Sequence, residues 1–334
     1  MDGTPTESDR ANRSVQAPSR PTVSVVISAH LRTQFLKEAV SSVASQSPDE
    51  IIVVKYSADE VLDRELAGLG AKVVLTQEPF QGGKVAVGIE QARGDVVALL
   101  DDDDTFLPGK VSRIREVFAD PRVVLHTNRF IPFTQLPTGP PELGPSRLFL
   151  AGEGNLYKQG LRPVVASCLA VRRRPILPWV NDLHRLTIAD HTMFMIAVAH
   201  QQPIAVDRSI LTGYRVATMG GAVHPAQSIW SRPGATAERD LRWMLDLLDS
   251  TTDGVRDTLS PMVASAVIHL VFLTGDANFH DFRRTVRAIL GGLGIRRPLV
   301  VPTILMLGYP LSPRLAIQLN RRWKSLVGYR LQKS

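Results

Sequence analysis

The chain has 334 residues and a single cysteine, Cys168, so it forms no internal disulfide and its fold does not depend on an oxidising compartment. Cys168 lies in the apolar run Val164 to Val171 and reads as a small buried hydrophobe. Residues 1 to 20 are polar and lack the apolar core of a secretory signal; they read as a disordered leader. No stretch reaches the roughly 18 apolar residues of a confident spanning helix. The nearest, Pro298 to Pro310, is short and carries three prolines and a glycine. These two absences imply a cytoplasmic protein.

Acidic residues are absent from Arg283 to Ser334, where 11 Lys or Arg residues stand. The net charge of +7 therefore belongs to the tail, and the rest holds 28 basic against 32 acidic residues. Such asymmetry points to an anionic surface or to a solvated basic face. Few aromatics interleave these cations and no recognition motif is present, so no nucleic acid is expected as partner. Leu315, Leu319, Trp323 and Leu326 share one helical face, with Arg314, Arg321 and Lys324 largely off it. This pattern suits a helix lying on an anionic membrane, peripheral to its inner face, and equally suits packing on the rest of the protein. HExxH, paired CxxC, G-x-S-x-G and P-loop patterns are also missing.

What is present is apolar material, 44% of residues, enough for a large core. The first half alternates strand and helix patterns. Strands are predicted at Val23–Ser28, Ile51–Val54, Lys72–Leu75, Val96–Leu100 and Val123–His126. Helices are predicted at Phe35–Gln46, Val61–Leu69 and Lys84–Ala92. This order argues for βαβ units and a mostly parallel α/β sheet, with ligands beyond the carboxyl ends of its strands. Pro132 to Gly154 reads as a long loop, followed by a strand at Val164–Val171, a helix at Thr192–His200 and a strand at Pro203–Val206. From Glu238 the pattern is helical.

Asp101-Asp-Asp-Asp104 directly follows the fourth strand. Adjacent carboxylates raise one another's pKa, and a divalent cation removes that penalty; hard oxygens suit Mg²⁺ or Mn²⁺. An acidic helix N-cap or a solvated turn are the alternatives. Gly82-Gly83-Lys84 precedes a helix, where glycines and a cation can receive a phosphate, or simply make a turn. Asp190, ahead of the Thr192 helix, reads as a general base or an N-cap. His126, His191 and His224 read as surface or core histidines rather than metal ligands.

Together these segments, over about Pro21 to Val216, resemble the family-two glycosyltransferases of the GT-A fold. The resemblance rests on Val23 to His30, Phe35 to Val43 with Gln46, Gly82 to Asp95, Val96 to Pro108, Val165 to Arg172 with Asp190, and Tyr214-Arg215. It implies a GT-A catalytic domain over residues 21–235 and a helical C-terminal region over 236–334. It also implies an inverting, metal-dependent transferase that moves a sugar from a UDP- or GDP-linked donor to a glycan or lipid-linked acceptor. By the same resemblance Ser28 and Ala29 meet the base, and Lys84 faces the nucleotide. Asp102 and Asp103 meet ribose and metal, Asp101 or Asp104 adds a ligand, and Asp190 is the base; the run fits two Asp-x-Asp registers. Lys55-Tyr56-Ser57 stands where the family usually has an acidic pair, which places Lys55 at the nucleotide and leaves uridine and guanosine both open. A sugar-phosphate nucleotidyltransferase is the rival enzyme. Its glycine-rich loop usually follows the first strand, but Ser28-Ala-His-Leu-Arg32 has no glycine. A nucleotide-sugar binding module without turnover is the non-enzyme rival.

Overall fold

The computed structural model describes residues 20–30, 33–137, 139–150, 153–154, 156, 159–161, 165–216, 234–260 and 263. The leader up to residue 19, His224, the Pro298–Pro310 segment and the amphipathic tail lie outside the described residues.

The chain opens with β1 (Val23–Ser28), α1 (Thr33–Ala44), β2 (Glu50–Lys55), α2 (Glu60–Gly68), β3 (Ala71–Leu75), α3 (Gln81–Gln91) and β4 (Val96–Asp101). β5 (Thr105–Phe106), α4 (Lys110–Val117), β6 (Leu125–Phe133), β7 (Ser146–Phe149) and β8 (Leu169–Arg172) follow. Then come α5 (Arg173–Ile176), α6 (Val180–Arg185), α7 (Ala189–Ala199), β9 (Ile204–Arg215) and α8 (Gly234–Asp249). All nine strands form one sheet, ordered β3-β2-β1-β4-β8-β6-β9-β5, with β7 also paired to β9. β3, β2, β1 and β4 are parallel, whereas β8 runs antiparallel to both β4 and β6.

Side-chain alternation explains why helices cover both faces. Val26, Ile52, Val97 and Leu99 point to one face, where they join Val85 and Ile89 of α3 and Met193 and Phe194 of α7. Val25, Ile27, Ile51, Val53, Ala98 and Leu100 point to the other, against Leu36, Val40 and Val43 of α1, Leu66 of α2 and Ile114 of α4. β1, β2 and β4 are thus buried on both sides, which is why they read as nearly continuous apolar runs, whereas β3 stands at the sheet edge. α8 adds Met244, Leu245 and Leu248 to the first layer.

α3 lies very close to its neighbours. A Cβ on Gly88 would stand 2.2 Å from Val26 Cγ1, and one on Gly82 would stand 2.2 Å from the Leu186 carbonyl oxygen. Both glycines therefore let α3 sink between β1 and the end of α6.

Several expected boundaries shift. Gly82, Gly83 and Lys84 stand in the first turn of α3, not in a loop ahead of a helix. The expected loop Pro132–Gly154 contains β7, which pairs along Ile204–Asp207 of β9. β9 runs on to Arg215, well past the expected end at Val206, because its second half pairs with Arg129–Phe133 of β6 across a bulge. The expected strand Val164–Val171 begins instead as a 3-10 turn at Ala166–Cys168.

Candidate active site

β1, β2 and β3 are laid down outward in one direction, and β4 then returns to the far side of β1. The order reverses between β1 and β4, and in open α/β sheets ligands bind at the carboxyl ends beside such a reversal. Ser28, the last residue of β1, is in register with Asp101, the last of β4. The acidic run therefore begins at the reversal point.

Its four side chains alternate. Asp102 and Asp104 are buried, whereas Asp101 and Asp103 are partly exposed. Asp102 Oδ2 accepts from the His30 amide at 2.7 Å and so pins the chain leaving β1. Asp104 Oδ2 accepts from the Ser167 hydroxyl at 2.6 Å, and its Oδ1 from the Arg215 amide at 2.9 Å. Ser167 Oγ in turn accepts from the Asp101 amide at 3.0 Å. One buried hydroxyl thus ties both ends of the acidic turn to the segment entering β8.

Arg215 closes the turn from β9. Its Nε donates to the Asp103 carbonyl at 2.8 Å, and its guanidinium pairs with Glu38 of α1. The same guanidinium lies 4.2 Å from the centre of the Phe35 ring and 4.6 Å from that of Phe133. Lys110 supports the floor. It is buried, donates to the Ser167 carbonyl and, at 2.7 Å, to Thr212 Oγ1, and sits 4.0 Å over the Phe106 ring. Burial pulls its ammonium down to about 8 against the opposing pull of Cys168 and Asp104. Cys168 is pushed up to about 11, chiefly by burial, so its thiol stays protonated, as expected of a core residue.

Asp101 is electrostatically loaded. Burial, and then the charges of Asp104, Asp103, Asp102 and Asp190, raise its carboxyl well above the usual carboxylate range. Asp190 thus lies within electrostatic reach of the acidic run although 89 residues separate them in sequence. Asp101 Oδ1 accepts from Gln81 Nε2 at 2.6 Å and from Ser28 Oγ at 3.3 Å.

Asp190 belongs to the first turn of α7, whose N-cap is Ile188. Its Oδ1 accepts from the amide of His191 at 2.6 Å and faces the His191 ring Nδ1 at 3.0 Å. Among the described residues Oδ2 accepts no hydrogen bond. Burial lowers the His191 pKa, but the charge and hydrogen bond of Asp190 outweigh it and raise the net value. The approach to α7 is fixed from two sides. The Thr187 amide donates to Asp240 of α8 at 3.2 Å, and its carbonyl accepts from the Gly82 amide at 3.3 Å.

The other expected contacts are placed differently from the acidic pair. The Ala29 amide donates to Val54, so Ala29 prolongs β1 and is buried. Lys55, at the end of β2, is buried and ion-paired with Asp63 of α2. The space beside Gly83 that a phosphate would need is filled by the Glu78 carboxylate, 2.1 Å from where a Cβ would stand. Lys84 is 1% exposed, enclosed within the α3 packing. Gly82 thus serves packing against the end of α6, whereas Gly83 faces the Glu78 side chain.

Gln81, Lys110 and Ser167 went unread in the sequence, and Arg215 was visible only as half of a Tyr-Arg pair. Ser167 is the one hydroxyl in the run Val164–Val171, and a lone polar residue in so apolar a stretch needs a partner. Lys110 follows Pro108 by two residues and carries no signal that would mark it as buried.

Comparison with known proteins supplies the rest. The family model described as glycosyl transferase family 2 matches residues 24–178. An uncharacterized glycosyltransferase of Nostoc sp. is 36% identical over 110 residues, which is 30% of this chain and 34% of that protein. The uncharacterized glycosyltransferase YwdF of Bacillus subtilis is 30% identical over 97 residues, 28% of this chain and 36% of that protein. The chain thus spans about a third of the length of the curated relatives it matches. Crystal structures of residues 1–349 of S. aureus TarS superimpose over 93% of this chain and 92% of theirs. The complex with UDP-GlcNAc gives a TM-score of 0.56 at 14% identity, and the complex with UDP gives 0.53 at 16%. At such identity the likeness is one of fold. Residues 24–178 thus match the model of glycosyl transferase family 2, and the chain shares the GT-A fold of TarS.

Proposed function

We propose that the protein is an inverting glycosyltransferase that moves a sugar from a UDP- or GDP-linked donor to an acceptor hydroxyl in glycan or glycolipid synthesis. The observation that carries this reading is the meeting of two carboxylate groups at one sheet edge. Asp101 and Asp103 stand at the β1/β4 reversal point, and Asp190 acts on the same electrostatic site from α7. The family match of residues 24–178 and the TarS fold, seen with UDP-GlcNAc in that protein, support a nucleotide-sugar donor.

The residues fit a divalent ion. Their donors are hard oxygens, and the raised pKa of Asp101 marks negative charge that the carboxylates do not relieve among themselves. Among the described residues no three His, Cys, Asp or Glu side chains converge as a ready cage. That suits an ion bound by one or two carboxylates and completed by phosphates and water. Mn²⁺ or Mg²⁺ held by Asp101 and Asp103 would neutralise charge on the departing diphosphate. Asp104, with both oxygens engaged by protein donors, anchors the turn in this reading, and Asp102 holds the loop at the base-binding end.

Asp190 Oδ2 takes the proton of the acceptor hydroxyl. The acceptor oxygen bonds the anomeric carbon as the bond to the diphosphate breaks on the opposite face, which inverts the configuration. His191 keeps Oδ1 occupied and so presents the other oxygen to the acceptor. Lys55, at the end of β2, pairs with Asp63, which gives it a bracing role in this reading.

The test is a panel of UDP- and GDP-sugars with Mn²⁺, read by release of nucleoside diphosphate. Release of pyrophosphate from a sugar phosphate and nucleoside triphosphate would favour a nucleotidyltransferase, and no turnover of any donor would refute transfer. The basic tail adds a peripheral membrane contact to this reading, since Arg283 to Ser334 holds 11 cations and no acidic residue. No helix among the described residues is long and apolar enough to cross a membrane. Flotation with anionic vesicles tests the contact, and its absence there would remove it.

A further inference from the structure

We infer that Gln81 is a positioning residue that couples the acidic run to the segment bearing Asp190; this rests on the transferase reading above. Its side chain spans the two groups. Nε2 donates to Asp101 Oδ1 at 2.6 Å, and Oε1 accepts from the Ala189 amide at 3.4 Å. Ala189 opens α7 immediately before Asp190.

The amide has one workable orientation. Turned over, its oxygen would face the Asp101 carboxylate and its NH₂ would face the Ala189 N–H, so both contacts would become repulsive. A glutamine is suited to this place because it is neutral and offers a donor and an acceptor on one plane. Glutamate would set a second carboxylate against Asp101 where the amide now donates.

The anchorage of Gln81 is stiff. It occupies the first position of α3, and the next residue, Gly82, donates its amide to the Thr187 carbonyl at 3.3 Å. α3 thus holds the approach to α7 by backbone at Thr187 and by side chain at Ala189. A shift of the Asp101 carboxylate is transmitted through one side chain to the start of the helix carrying Asp190. The exchange is mutual, so occupancy at the acidic run biases where Asp190 stands.

The test compares Gln81→Met, which keeps length and loses both hydrogen bonds, with Gln81→Glu, which keeps the acceptor and loses the donor. Hydrogen exchange over residues 187–191 reads the bridge without any turnover. Faster exchange in Gln81→Met and near-normal protection in Gln81→Glu are expected; unchanged exchange in Gln81→Met refutes the bridge. On the donor that the wild type turns over, Gln81→Met should lose about 10- to 100-fold in kcat with KM within about threefold. Gln81→Glu, which keeps the acceptor to Ala189 but loses the donor to Asp101, should show a comparable loss in kcat. A merely structural role would lower the amount of folded enzyme without this split between kcat and KM. A Gln81→Met enzyme with kcat within twofold of wild type overturns the positioning role. If the wild type turns over no donor, the transferase reading fails, and the exchange result alone decides the bridge.

Discussion

Replacing Ser167 by alanine removes one oxygen from the molecule, yet it should loosen the whole acidic turn. The Ser167 side chain is fully buried; its Oγ accepts from the Asp101 amide at 3.0 Å and donates to Asp104 Oδ2 at 2.6 Å. A neutral hydrogen bond contributes about 1 kcal/mol net and one to a charged group about 1.5–3 kcal/mol. Alanine leaves a methyl of nearly the same size, so no cavity term of note is added. Asp104 keeps the Arg215 amide at its other oxygen, which limits the loss. The expected destabilisation is about 2–4 kcal/mol, visible as a lower urea midpoint at unchanged slope. Since the same hydroxyl sets the position of Asp101, calorimetry with UDP and Mn²⁺ should also show at least about tenfold weaker binding. A loss below about 0.5 kcal/mol, or a destabilised protein that binds UDP normally, would refute the idea that Ser167 holds the turn.

Asp190→Asn should retain UDP binding and lose sugar transfer by about 10²-fold or more; near-normal transfer in single-turnover assays would remove Asp190 as the base. His184, between Glu78 at 2.8 Å and Glu90 at 3.2 Å, gives a stability signature that depends on pH. Burial lowers its pKa, but the two carboxylates outweigh this and raise it above its ordinary value. The stabilisation is therefore complete below the unfolded-state value of about 6.5 and is lost as pH rises through the higher folded value. His184→Ala should cost up to about 1 kcal/mol at pH 6 and little at pH 8.5, measured by denaturation. An equal cost at both pH values would show that the histidine acts there uncharged.

The parallel core was legible because β1, β2 and β4 are buried on both faces and their few polar residues stand mainly near the strand ends, leaving the apolar runs intact. Val23–Ser28 is read from sequence and found in the structure with the same bounds. The acidic run was legible for a related reason: four carboxylates directly after a buried strand have few neutral explanations. What failed was anything set by contacts distant in sequence. β9 was cut short because its second half depends on pairing with β6 across a bulge. Gly82 and Gly83 leave a phosphate site and a plain turn both open, because glycine signals close approach without saying what approaches. Here the neighbours are the end of α6 and the Glu78 side chain. Gln81, beside them, was overlooked because a glutamine carries no charge to mark it. Lys110 would have been assigned to the surface on composition alone, and only Ser167, Thr212 and the Phe106 ring make its burial tolerable.

The central claim is that Asp101 and Asp103 form the edge on which a cation-bound diphosphate rests. Calorimetric titration of UDP into the wild type and the Asp101→Ala/Asp103→Ala double variant, each with and without Mn²⁺, measures this directly. The account predicts that Mn²⁺ strengthens UDP binding to the wild type by about tenfold or more, and that the double variant loses this gain while remaining folded. Equal UDP affinity in all four titrations would contradict it.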